Sequence, residues 1–231
     1  MANTALRLWP DPLVLAGGTR TAGQAAPEHQ PARRALATIS DSPRARLALA
    51  AMVLSQVTMV AVMAMTPVHL KLQGHEGVSA YVISAHIAGM YALSPLVGRY
   101  SDQRGRLPAI LLGGGLLLGA TMLAAVAGDV EQLLFPALWL LGIGWSFGLI
   151  GGSSLLVDSV PVGERVGVQG TADLLMSFFG GLAGFSSGFI RGAFGFHVLA
   201  QLAALAAGTL VVLAAVALRA SRPPLVLETA A

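Results

Sequence analysis

The sequence contains no cysteine, which excludes disulfides, thiolate nucleophiles and cysteine metal sites. It is also short of charge. Only 11% of its residues are Asp, Glu, Lys or Arg, about half the share a soluble domain uses to cover its surface. There is no phosphate-cradling loop, because the glycines Gly113–Gly115 lie inside an apolar run with no Lys-Ser/Thr after them. No His/acid cluster has metal-ligand spacing, and no nucleophile constellation is present. No cofactor and no enzyme chemistry are therefore expected. An apolar stretch close to Met1 is missing as well, so a cleavable signal peptide is not expected.

What is abundant is apolar surface. Hydrophobic residues make up 55% of the chain, with a mean hydropathy of +0.73. They gather in runs long enough to cross a bilayer, for which about 20 residues suffice. The expected fold class is an all-α integral membrane protein with six transmembrane helices. These are roughly Ala45–Val68, Val78–Val97, Leu107–Ala127, Gln132–Val157, Gly167–Ile190 and Phe194–Leu218.

The formal net charge of +3 and a pI near 10 would suggest nucleic acid in a soluble protein. In a membrane protein basic loops set topology instead, so the lipid bilayer, not nucleic acid, is the expected partner. Arg7, Arg20, Arg33, Arg34, Arg44 and Arg46 precede the first helix. Arg99, Arg104 and Arg106 join the second helix to the third, Arg165 lies between the fourth and fifth, and Arg219 and Arg222 follow the sixth. These are twelve of the 14 Lys and Arg, against Lys71 and Arg191 on the other side. Basic loops stay inside, so both termini are expected in the cytoplasm, with the chain multi-pass in the cell inner (plasma) membrane.

Residues 1–44 hold Pro10, Pro12, Pro27, Pro31 and Pro43 and no apolar period. They are expected to be a flexible cytoplasmic tail or linker, before a six-helix domain over 45–218 and a cytoplasmic C-terminal tail over 219–231.

Polar residues favour helices one, two, four and five, which carry Ser55, Gln56, Thr58, Ser84, His86, Ser146, Ser153, Ser154 and Asp173. The third and sixth are plain, as lipid-facing helices would be. Three helices per unit invert the second triplet relative to the first, the 3+3 inverted-repeat logic of secondary transporters. Gly144, Gly148 and Gly152, like Gly180, Gly184 and Gly188, recur every fourth residue and predict close packing of helices four and five.

Charge is concentrated in GRYSDQRGRLP, Gly98–Pro108, expected to be a tight turn between helices two and three. Gly98 and Gly105 would supply unusual backbone conformations or close approach. Pro108 suits the first turn of the next helix, and Asp102 can accept bonds from a helix N-terminus or pair with arginine. The stretch resembles the loop signature of the major facilitator superfamily, roughly Gly-x-Leu-x-Asp-Arg-x-Gly-Arg-Arg/Lys. Gly98, Asp102, Gly105 and Arg106 match in place. Tyr100, Gln103 and Leu107 depart from the pattern, and Arg104 stands one position late. DSVPVGERVGVQG, Asp158–Gly170, is similar to the family's link between the fourth and fifth helices of a half.

The resemblance covers about Ala45–Leu218 and implies half of a twelve-helix fold. RLWPDPLVLAGG, Arg7–Gly18, resembles the link leaving a first half, so the chain is expected to be a C-terminal six-helix half or truncated form. Its partner would be an N-terminal half or a second copy of itself. The implied function is secondary transport of a small-molecule substrate by alternating access, with proton-coupled efflux as one form. The alternative is a non-transporting membrane protein: an inactive remnant, scaffold or regulatory subunit.

The resemblance further implies a conformational latch at Gly98, Asp102, Arg104, Gly105 and Arg106, with Asp158 as the acid that Arg106 meets. Asp173, an acid inside a span, is a pathway candidate unless it is interfacial and paired with Arg165 or Arg104. His86 shares a stripe with Ser79 and Met90 and is either a proton or substrate group or a packing histidine. Gln56, with Met59, Met63 and Thr66, forms a soft polar stripe on helix one that lines a pathway or a helix contact.

Overall fold

The structure, a computed structural model, describes residues 31–127 and 130–221. Among these every regular element is a helix. A short helix α1 (Ala32–Asp41) precedes α2 (Pro43–Leu72), and the second span is built from α3 (Ser79–Tyr91) and α4 (Ser94–Arg104). The remaining spans are α5 (Arg106–Ala127), α6 (Glu131–Asp158), α7 (Arg165–Phe194) and α8 (Phe196–Ala220). Single 3-10 turns at Glu76–Val78 and Val162–Glu164 lead into α3 and α7. All six spans are long and apolar enough to cross a membrane.

Three expectations need correction. Residues 32–41 form a helix, not a flexible tail. Ser42 caps the next helix by accepting from the Ala45 N–H at 3.3 Å, and Ala35 and Ile39 bury the inner side of α1. Residues 1–30 and 222–231 of the expected tails lie outside the described residues. Second, most of GRYSDQRGRLP is helical. The turn shrinks to Gly105, whose φ of +97° is a conformation that glycine adopts without a Cβ clash. Gly98 sits inside α4, with open space where a Cβ would project. Likewise only 159–164 of the expected fourth-to-fifth link is non-α, because α7 already starts at Arg165.

Third, the glycine sets do not join the fourth and fifth spans to each other. A Cβ on Gly148 would meet the Ser55 side chain and one on Gly152 the Met52 side chain, both on α2. Gly144 lies against the Leu117 backbone of α5. Gly180 and Gly184 take the Gln56 and Val60 side chains of α2, and Gly188 meets nothing within 4 Å. Close spacing of small residues thus marks close approach, but to the first and third spans. Two of the three glycines at 113–115 serve the same purpose: Gly113 abuts α6 and Gly114 abuts α8.

The main neighbours are α2 with α6, α7 and α8, α6 with α3 and α5, and α5 with α8. Exchanging spans one to three with four to six maps each of these pairs onto another or onto itself. The two short connections obey the same exchange. Gly105 joins spans two and three at φ 97°, ψ 161°, and Gly195 joins spans five and six at φ 87°, ψ 168°. This is the pattern that a 3+3 repeat requires.

The second span breaks near its middle. Pro95 has no N–H to continue the ladder, and α3 gives way to α4 across Ala92–Leu93. Spans two and five are also the least buried of the six. The third and sixth spans bury one face in each other and expose Leu112, Met122, Val126, Leu205 and Val212, the apolar exterior expected of lipid-facing helices.

Candidate functional site

Two polar centres emerge. The first is ionic and lies at the arginine-rich end of the bundle, where α2 and α7 begin and α6 and α8 end. Gly105 reverses the chain so that Asp102 and Arg106 flank the turn. Arg106 Nη1 donates to Asp102 Oδ1 and, at 3.2 Å, to Ser101 Oγ. Its Nε donates to Asp158 Oδ2 at 3.2 Å. One guanidinium therefore bridges an acid of the second span and an acid at the end of the fourth, using the fork geometry that only arginine supplies.

The Arg106 side chain is 27% exposed, against 69% for Asp102 and 55% for Asp158. The cation is the sheltered member of the cluster and both acids face water. Arg104 is not hydrogen-bonded into this triad, but it lines one pocket of about 340 Å³ with Arg106, Asp158 and Arg44. Of the six signature residues, then, Asp102, Gly105, Arg106 and Asp158 come together, Arg104 borders them, and Gly98 has no contact role.

The second centre lies midway along the spans. Trp145 Nε1 donates to Gln56 Oε1 at 2.7 Å, joining the fourth span to the first, and the Gly180 surface of the fifth span seats the Gln56 side chain. Tyr91 packs edge-on to Trp145 with ring centroids 6.0 Å apart, and its own side is 60% exposed. Tyr91 ends α3 at the helix break. Just past the break, Ser94 Oγ donates to Met90 O at 2.9 Å and lies 3.4 Å from Ser146 Oγ. Gln56, Tyr91 and Trp145 each fall near the middle of their spans. A broken helix and polar groups at that depth are the features around which transporter substrate sites are built.

Asp173 stands apart from both centres. It accepts from Gln169 Nε2 at 2.8 Å, and Gln169 Oε1 accepts from Ser153 Oγ at 3.1 Å, so the acid is tied to the fourth span through an amide. Neither Arg165 nor Arg104 is its hydrogen-bond partner here. Only about two turns separate it from the start of a helix longer than the hydrocarbon core, so it lies nearer the membrane edge than Gln56 does.

His86 is buried, and its Nδ1 donates to Leu138 O at 2.9 Å. It marks a very close crossing of the second and fourth spans. A Cβ on Gly142 would come within 2.3 Å of His86 O, and one on Gly89 within 2.6 Å of Trp139 O. Nδ1 thus ties the two spans together, while Nε2 is buried without a hydrogen-bond partner. In the soft stripe of helix one, Met59 is buried and Thr66 Oγ1 donates back to Val62 O at 2.9 Å, so Gln56 alone of the four reaches another span through a polar bond.

Trp145, Tyr91, Ser94 and Gln169 were not singled out from sequence. Gln169–Asp173 has a local signature, an amide and an acid four residues apart on one helix. Trp145–Gln56 has none, since its partners are 89 residues apart. Among the described residues no group of three or more His, Cys, Asp or Glu could hold a metal ion.

Six apolar spans joined by short turns define a multi-pass membrane protein. Its family follows from comparison: the family model of the Major Facilitator Superfamily matches residues 22–231, and the chain belongs to that superfamily. Among curated proteins it is 39% identical over 195 residues to the uncharacterized MFS-type transporter YdeG of Bacillus subtilis, covering 80% of this chain and 43% of that protein. It is 44% identical over 142 residues to the uncharacterized MFS-type transporter YddS of the same organism, covering 60% of this chain and 32% of YddS. It is 34% identical over 163 residues to the riboflavin transporter RfnT of Brucella anthropi, covering 67% of this chain and 41% of that transporter. The chain thus spans less than half the length of these relatives. No solved structure matches.

Proposed function

We propose that the chain is one six-helix half of a plasma-membrane secondary transporter that moves a small molecule by alternating access. The observation that carries this reading is Arg106 held at once by Asp102 and Asp158. The bond to Asp158 crosses from the third span to the fourth. Breaking and remaking it as the arginine-rich ends separate and close gives two states of similar energy, which alternation needs. Basic loops on that end support a cytoplasmic location for it and for both termini.

The chain's partner is a second six-helix unit, either an N-terminal half or another copy. Support comes from the second and fifth spans, the least buried of the six, which expose Ser84, Asp173 and Ser177 beside large apolar residues such as Tyr81, Phe178 and Phe185. Substrate sits between the halves against Gln56, Tyr91 and Trp145. A planar aromatic molecule suits those rings, and one relative is named for a flavin. Asp173 and His86 are the groups that would carry a coupled proton in an efflux cycle.

The test is flux. Vesicles carrying the chain, alone and together with a separately expressed N-terminal half of YdeG, are assayed with a panel that includes riboflavin. Saturable flux above that of empty vesicles is expected. Stable, inserted protein that gives none in either arrangement contradicts the proposal and favours a non-transporting role.

A further inference from the structure

The transport reading leaves one built feature unused. Helix α1 lies across the arginine-rich ends of α2 and α7. Thr38 Oγ1 donates to Glu164 Oε2 at 2.6 Å and Arg34 Nη2 to Glu164 Oε1 at 3.2 Å. Beneath it a groove of about 400 Å³ runs between α2 and α7, lined by Ala50, Leu54, Leu175 and Phe179, with Arg46 and Ser40 at its α1 end.

The dimensions match one leaflet. The first span has 30 residues, about 45 Å of helix, which equals the bilayer including its headgroup layers. Arg46 lies in its opening turns, at headgroup depth, and Leu54 is just over two turns further, about 12 Å deeper along the helix and within the hydrocarbon. The groove is polar only where headgroups would be.

Its charge is one-sided as well. Arg33, Arg44 and Arg46 are exposed and have no ion-pair partner among the described residues. The local acids are Asp41 and Glu164, and Glu164 is already held by Arg34 and Thr38. Packing α1 over the groove closes its headgroup end and leaves the apolar length open to lipid.

We propose that this groove binds one anionic phospholipid, an acyl chain lying along Leu54 and Phe179 and the headgroup phosphate pairing with Arg46. A single cation near an anionic lipid gives about 1 kcal/mol, a preference of roughly fivefold over a zwitterionic lipid.

Native mass spectrometry of the full chain in detergent, titrated with phosphatidylglycerol or phosphatidylcholine, tests this. Phosphatidylglycerol is expected to bind about fivefold more tightly. Arg46→Gln is expected to erase that preference. Arg219→Gln, at the same end of the bundle but outside the groove, should leave it intact. Ala50→Trp fills the groove and should weaken both lipids. Equal binding of the two lipids by the unaltered chain overturns the proposal, and so does a preference that survives Arg46→Gln. Arg46 is exposed, so that comparison decides the matter even if the Ala50 variant does not fold.

Discussion

Gly142→Leu is expected to prevent the six-helix body from forming. The atoms that a Cβ would meet are His86 O at 2.3 Å, Met90 N at 3.0 Å and Gly89 C at 3.2 Å. All are backbone, so no side chain can swing aside and the second and fourth spans must part. Overpacking costs about 1–3 kcal/mol where a core can adjust. Here the cost adds to loss of the His86–Leu138 bond, about 1 kcal/mol net. Backbone that cannot yield raises the cost above that range, and it then removes a large share of a marginal stability of about 5–15 kcal/mol. Gly119→Leu is the control, because its Cβ would meet nothing within 4 Å. Thermal unfolding and size-exclusion profiles in detergent should show loss of monodisperse Gly142→Leu protein. Gly119→Leu should change stability by no more than about 0.5 kcal/mol.

Arg106→Gln is expected to abolish most transport while leaving insertion intact. The substitution removes bonds to two acids and leaves Asp102 and Asp158 without a shared cation. Because both acids are more than half exposed, water screens them and the cost to stability stays below about 2 kcal/mol, at most about 1 for each of the two ion pairs. The effect falls instead on the balance of conformational states. A differential loss of about 1.4 kcal/mol shifts that balance tenfold, so flux should fall about tenfold or more. Asp158→Asn weakens only the bond that crosses between spans and should give a smaller loss, about fivefold. Arg106→Lys keeps the charge but lacks the fork, and should resemble Asp158→Asn. Flux assays beside circular dichroism separate these outcomes from misfolding. Near-normal flux for Arg106→Gln would leave the arginine as a topology signal only.

The six spans were legible because twenty-residue apolar runs have few other meanings. Their partners were not. Gly144, Gly148 and Gly152 announce close packing, but spacing carries no information about which helix arrives, and the answer was the first and third spans. Helix α1 escaped because prolines Pro31 and Pro43 at its two edges resemble a linker, while its apolar contact rests on only Ala35 and Ile39. The break in the second span was marked by Pro95, yet hydropathy runs smoothly across it. The residues of the ionic centre, Asp102, Gly105, Arg106 and Asp158, were indicated by the resemblance of their loop to the superfamily signature. The centre midway along the spans was not, apart from Gln56, because Trp145 reads as one more apolar residue until a partner from another span reaches its N–H.

Site-directed crosslinking tests the central claim, that this is one six-helix half whose second and fifth spans meet another. The chain has no cysteine, so single cysteines report cleanly. Ser84→Cys on α3 and Gly188→Cys on α7 are compared in native membranes with Val212→Cys on the apolar face of α8. The account predicts that the first two crosslink to a second six-helix unit and that Val212→Cys does not. Equal behaviour of all three positions, with no polypeptide captured at Ser84 or Gly188, would contradict it.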